Sequence, residues 1–83
     1  MFINKSNTGM NNLIGGQLAK MRKEFGLSQK KFADRLQLLG LDVDKNAIQR
    51  MECGKRFVTD IELVYICKAL RTDPNELLQW KGR

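Results

Sequence analysis

From Leu13 onward the apolar residues of this chain recur at three- and four-residue intervals, and the breaks between the runs carry helix caps and helix stops. That regularity excludes most folds. A half-buried strand needs apolar and polar residues in alternation, and no such stretch is present. Pro and Gly fall only at helix ends, among the N-terminal residues or in the first helix. With 83 residues, 42% of them hydrophobic, the chain can fill one small core. The fold class that follows is all-α.

Five helical segments can be read. The first spans about Leu13 to Phe25, with Ile14, Leu18, Met21 and Phe25 on one face and Gly26 as its stop. Its Gly15-Gly16 pair weakens the helix start and permits close packing. Ser28 caps the second, Gln29 to about Leu38, with Leu27 and Phe32 as a hydrophobic staple and Phe32, Ala33 and Leu36 facing inward. A turn region, roughly Leu39 to Val43, holds Gly40. Asp44 caps the third helix, Lys45 to Cys53, which Gly54 ends. Thr59 and Glu62 form a capping box for the fourth, with Val58 and Leu63 as its staple and Ile61, Val64, Ile66, Cys67 and Leu70 as its apolar set. In the fifth, Asp73 caps, Pro74 takes the first helical position and Glu76 reaches back, followed by Leu77, Leu78 and Trp80. Residues 1–12 are rich in Asn, Ser, Thr and Gly and read as a flexible arm ahead of a domain at 13–83.

The net charge of +6 favours a polyanionic partner, nucleic acid first and an anionic membrane surface second. Its distribution is uneven. Residues 20–56 carry ten Lys/Arg against five acids, whereas residues 57–83 carry four of each. A basic face therefore belongs to the middle of the chain. No apolar run approaches the ~18 residues of a membrane span, and the N-terminus lacks the apolar stretch of a signal peptide. The expectation is a cytoplasmic protein, nucleoid-associated and bacterial or phage. Two cysteines without any His do not make a zinc site, so Cys53 and Cys67 read as reduced thiols, Cys67 in the core. With no His, no paired acid cluster and no phosphate-loop context around Gly15-Gly16, the chain does not read as an enzyme, and no cofactor or metal is implied.

The third helix is the most informative. At about 100° per residue, Lys45, Asn46, Gln49 and Arg50 fall within an arc of about 140°, and Ala47, Ile48, Met51 and Glu52 occupy the other side. The outer arc offers only long polar or cationic side chains. Asn and Gln can bond an adenine edge bidentately, and Arg or Lys a guanine edge, which is the chemistry of major-groove readout. A solvated amphipathic helix would show the same face. Gln29 and Lys30 stand at the N-terminus of the second helix, where free N–H groups and the dipole favour a phosphate. Lys55 and Arg56 follow the third helix in a short loop, placed for further backbone contacts.

Leu27-Ser28-Gln29, Phe32-Ala33-Asp34-Arg35-Leu36 and the run from Ala47 to Arg56 together resemble the helix-turn-helix of the lambda-repressor-like (Xre/Cro-type) family. The anchors are Arg22-Lys23-x-x-Gly26-Leu27-Ser28-Gln29 and the close Glu52-x-Gly54-Lys55-Arg56. The likeness covers about Leu13 to Leu78. It implies a five-helix domain with helices two and three as the DNA-binding unit, acting on double-stranded DNA and usually as a two-fold homodimer on a palindromic site. By the resemblance, Lys45, Asn46, Gln49 and Arg50 are the base-reading positions and Gln29 bonds the DNA backbone. Arg22 and Glu52 are the structural ion pair, which accounts for the one charge on the inner arc. One feature departs from the family: Gln37 to Val43 is several residues longer than the usual three- or four-residue turn. Either helix two gains a turn through Leu38 and Leu39, or the loop bulges; both leave Leu38, Leu39, Leu41 and Val43 available to the core.

The reading is a sequence-specific transcriptional regulator, a repressor occupying its operator as a dimer, with Leu78 and Trp80 as candidate dimer contacts. Two readings share the fold: an antitoxin that also binds a protein toxin, and a controller of a restriction–modification system. A protein-interaction module without DNA binding is the competitor from another class; it would lack the polar outer face of helix three.

Overall fold

A computed structural model describes residues 11–78; Trp80 and residues 1–10 lie outside the described residues. The architecture is all-helical: α1 (Gly15–Glu24), α2 (Gln29–Leu39), α3 (Lys45–Glu52), α4 (Asp60–Leu70) and α5 (Pro74–Leu78). α2 packs on both α3 and α4, while α1 closes the other side against α3 and α5. Leu18, Phe32, Leu36, Ile48, Met51, Ile66 and Leu77 are fully buried and draw one residue or more from every helix. At about 1.5–3 kcal/mol per fully buried apolar side chain, this single cluster is the main force holding the helices together.

Local chemistry sets the helix ends. Ser28 Oγ accepts from Lys31 N–H (3.1 Å) and Asp44 Oδ1 from Ala47 N–H (2.8 Å). The Thr59–Glu62 box is complete in both directions, at 3.0 and 3.1 Å. Asp73 Oδ1 accepts from Glu76 N–H at 2.9 Å. The Glu76 carboxylate does not reach back to the cap, as the sequence suggested, but meets the Thr72 hydroxyl at 3.4 Å.

The long connection resolves as an extra helical turn. α2 continues through Leu39 and stops at Gly40, whose φ of +111° is left-handed. Gln37 Nε2 then donates to Val43 carbonyl at 2.6 Å, tying the following segment to α2. Only Val43 is buried and Leu41 half-buried; Leu38 is 88% exposed and Leu39 also faces outward. The reason is angular: Leu38 lies about 200° round the helix from buried Leu36, so lengthening the helix turned it away from the core.

Three further apolar positions point outward against expectation. Phe25 falls just past the end of α1 and stays exposed, its ring under the Arg35 guanidinium at 5.0 Å. On α4 the buried face is Ile66, Cys67, Ala69 and Leu70, whereas Ile61 is 64% and Val64 49% exposed. α4 carries more apolar residues than one face can hold, and Ile61 and Val64 are the surplus. Both cysteines are free; Cys67 is buried, which raises its thiol pKa, and Cys53 is exposed.

Candidate nucleic-acid interface

α3 divides as its spacing requires. Ile48 and Met51 are buried and Ala47 is half-buried, while Lys45, Asn46, Gln49 and Arg50 are all exposed. Asp44 caps one end. The other is closed by Gly54 at φ +77°, with Lys55 N–H donating to Arg50 carbonyl (2.9 Å) and Gly54 N–H to Met51 carbonyl (3.1 Å). Those two bonds make a Schellman closure. A helix of eight residues with both ends satisfied is a rigid support for four outward side chains.

The support extends inward through one charge network. Arg22 Nε donates to Glu52 Oε2 at 2.6 Å and Nη2 to Oε1 at 3.0 Å. Arg22 Nη1 also donates to Leu27 carbonyl at 2.7 Å, so α1 holds both the last residue of α3 and the turn before α2. The two side chains are only 8% and 7% exposed. A bidentate pair with this burial has little tolerance for losing either member, because the survivor would be left as an unpaired buried charge.

Gln29 belongs to the same network: its Nε2 donates to Glu52 Oε1 at 3.0 Å. That fixes Gln29 beside the end of α3, at the first residue of α2. The N-terminal N–H groups of α2 remain the donors for an anion there. Lys30 is exposed, 3.2 Å from Asp34, a surface pair of small energetic weight. It shares a groove between α2 and α3 with Lys45. At the opposite end of α3, Gln49, Arg50 and Lys55 surround one shallow depression with Cys53.

Lys55 and Arg56 differ. Lys55 is exposed and has no ion-pair partner among the described residues. Arg56 turns to α4, where its Nη1 and Nη2 donate to the two Glu62 oxygens, each at 2.8 Å. The Arg56 hydrogen bonds hold the Glu62 carboxyl below its ordinary range, and the same bonds raise the Arg56 guanidinium. Together with a bond from Nη1 to Phe57 carbonyl (3.1 Å), the Glu62 bonds occupy three of the five guanidinium N–H groups and leave Nε–H and one on Nη2 for another acceptor.

Sequence reasoning passed over Asn11 and Asn12, which bond to the segment closing α3, with Asn12 also capping α1. The signal for Asn12 was present: an Asn just ahead of the first apolar-periodic residue is a helix-start residue. The Gly15 position also has a physical reason. A Cβ there would lie 2.6 Å from Met51 carbonyl oxygen and 2.8 Å from that of Glu52, so only glycine lets α1 sit on the end of α3. Gly16 faces open space.

The arrangement presents long polar and cationic groups on a convex helix, flanked by a helix N-terminus and a free lysine. Among the described residues no group of His, Cys, Asp and Glu is placed to hold a metal, and no helix is long and apolar enough to cross a membrane.

Comparison with known proteins agrees with this geometry. The sequence pattern of the family described as "Helix-turn-helix domain" matches residues 13–80. The restriction–modification controller protein C.AhdI from Aeromonas hydrophila superposes with a TM-score of 0.68 at 28% identity, over 77% of this chain and 86% of that one. Among curated proteins, none matches the sequence significantly.

Proposed function

Because the chain belongs to the helix-turn-helix family of Xre-type DNA-binding transcription regulators, we propose that it is a repressor that occupies its operator as a homodimer. The observation that carries this reading is the exposed arc Lys45, Asn46, Gln49 and Arg50 on a helix anchored from behind by Arg22–Glu52. In this account Asn46, Gln49, Lys45 and Arg50 read base edges in the major groove. Backbone contacts come from the start of α2 (Gln29, Lys30) and from Lys55, with Arg56 contributing the N–H groups that Glu62 does not occupy. Phosphate contacts supply most of the affinity, so binding falls steeply with salt.

A dimer needs a face that two cations of +6 can share. Leu13 and Phe57, both exposed, line one cleft with Leu78, and Ile61 and Val64 stand outward on the adjoining α4. The last third of the chain is neutral by count, unlike the basic middle, so this end is where two copies meet with least repulsion. Selection of bound duplexes from a random DNA pool tests the proposal: a palindromic motif is expected. Recovery of no motif would refute sequence-specific reading, and a motif without two-fold symmetry would refute the dimer.

The likeness to a restriction–modification controller favours one second reading, a controller acting on its own operon. It uses the same interface and differs in the genes served; a restriction enzyme and methyltransferase encoded beside this chain would support it.

A further inference from the structure

The end of α3 is held at two points, by Arg22 on a side chain and by Asn12 on the backbone. Asn12 Oδ1 accepts from the N–H groups of Ile14 (3.1 Å) and Gly15 (2.8 Å), which caps α1. Its Nδ2 donates to Met51 carbonyl (3.0 Å) and Arg56 carbonyl (2.7 Å), 39 and 44 positions away. Those four bonds use the whole capacity of the amide. Asn11 adds its N–H to Gly54 carbonyl (2.8 Å) and its Nδ2 to Lys55 carbonyl (3.1 Å). The carbonyls of residues 51, 54, 55 and 56 are thus all held from residues 11 and 12.

A cap requires only Oδ1. The Nδ2 bonds do something else: they fix the turn that carries Lys55 past Arg50 and into the depression with Gln49. Lys55 has no ion-pair partner among the described residues to place it, so the backbone sets where its charge stands. Gly15 shows how tight the attachment is, because a methyl group there would collide with the Met51 carbonyl that Asn12 holds and with that of Glu52 beside it. We propose that Asn12 is a positioning residue for the DNA interface, locking the end of α3 and the Gly54–Arg56 turn to α1 and so setting the phosphate contact of Lys55. The inference rests on the DNA-binding reading.

Asn12→Asp separates the two jobs. It keeps an acceptor for Ile14 and Gly15, and it turns a carboxylate oxygen toward two carbonyl oxygens that had a donor. The probe is a fluorescent random-sequence duplex of about 30 base pairs, titrated by anisotropy across a salt series and normalised to the folded fraction from circular dichroism. The expected result is about tenfold weaker binding per folded molecule and a log K against log salt slope reduced by about one, as for Lys55→Ala. In a Lys55→Ala background Asn12→Asp should do nothing further. An unchanged slope, or losses that simply add, would overturn the proposal, since a purely structural residue changes the folded fraction and not the slope. Should Asn12→Asp fail to fold, Asn12→Ser, which keeps an acceptor and one donor, is measured in the same way and judged by the same criteria. If the unaltered protein does not bind the duplex at all, the DNA-binding reading falls and this inference with it. If it binds and the variants match it, this inference alone falls.

Discussion

α3 and α4 each turn an exposed face to solvent, and the two faces have opposite chemistry. On α3 the outward residues are Lys45, Asn46, Gln49 and Arg50; on α4 they include Ile61 and Val64, with Phe57 just ahead of the helix. Exposure alone therefore says little about use. The α3 face projects hydrogen-bonding groups and positive charge, and an elaborate inner anchorage holds it still. The α4 face leaves apolar area in water on the neutral part of the chain, where burial against another protein surface is favourable. Under the proposed function, the α3 face meets DNA and the α4 face meets a second copy of the chain.

The largest expected effect removes the anchorage. Arg22→Ala leaves the Glu52 carboxylate buried with Gln29 as its remaining side-chain donor, and should cost about 3–5 kcal/mol in urea denaturation. The α3 face should be lost before the α4 face, and equal retention of both would break the contrast. Ile61→Glu comes next. Each copy would lose roughly 1.5–3 kcal/mol of apolar burial across a two-fold contact, so sedimentation should report monomers while one chain still binds random duplex. Arg50→Ala and Asn46→Ala should each reduce discrimination between bases by about 1–3 kcal/mol and leave the oligomeric state alone.

The smallest effect concerns Arg56–Glu62, the pair between the two faces. Arg56 depresses the Glu62 pKa, so the pair's contribution is present above the ordinary carboxylate range and is lost as pH falls through the lowered folded value. Glu62→Gln should flatten that acid-side loss, by no more than about 1 kcal/mol, since the Arg56 side chain is 32% exposed. A Glu62→Gln stability curve as steep as that of the parent would remove the pair from the account.

The difference between the faces also explains how much was legible. α3 could be read because its signals are local: an Asp44 cap, a Gly54 stop, a polar outer arc and an apolar inner arc with one charge, Glu52, whose partner the family resemblance identified. α4 was misread because its window holds Ile61, Leu63, Val64, Ile66, Cys67 and Leu70, more apolar residues than one face can bury. Spacing alone cannot choose between a face that packs on α2 and one left outside. Likewise, Leu38 was a core candidate until an added turn of α2 rotated it outward. The Asn12 bonds to Met51 and Arg56 join residues too distant in the chain for any local pattern to pair.

The outer arc of α3 is proposed to read bases. The most direct test is to repeat the random-pool selection with Arg50→Ala beside the unaltered chain, under one salt concentration. The account predicts a motif that keeps its symmetry and spacing but loses preference at one base position in each half-site. An identical motif from both proteins would contradict it.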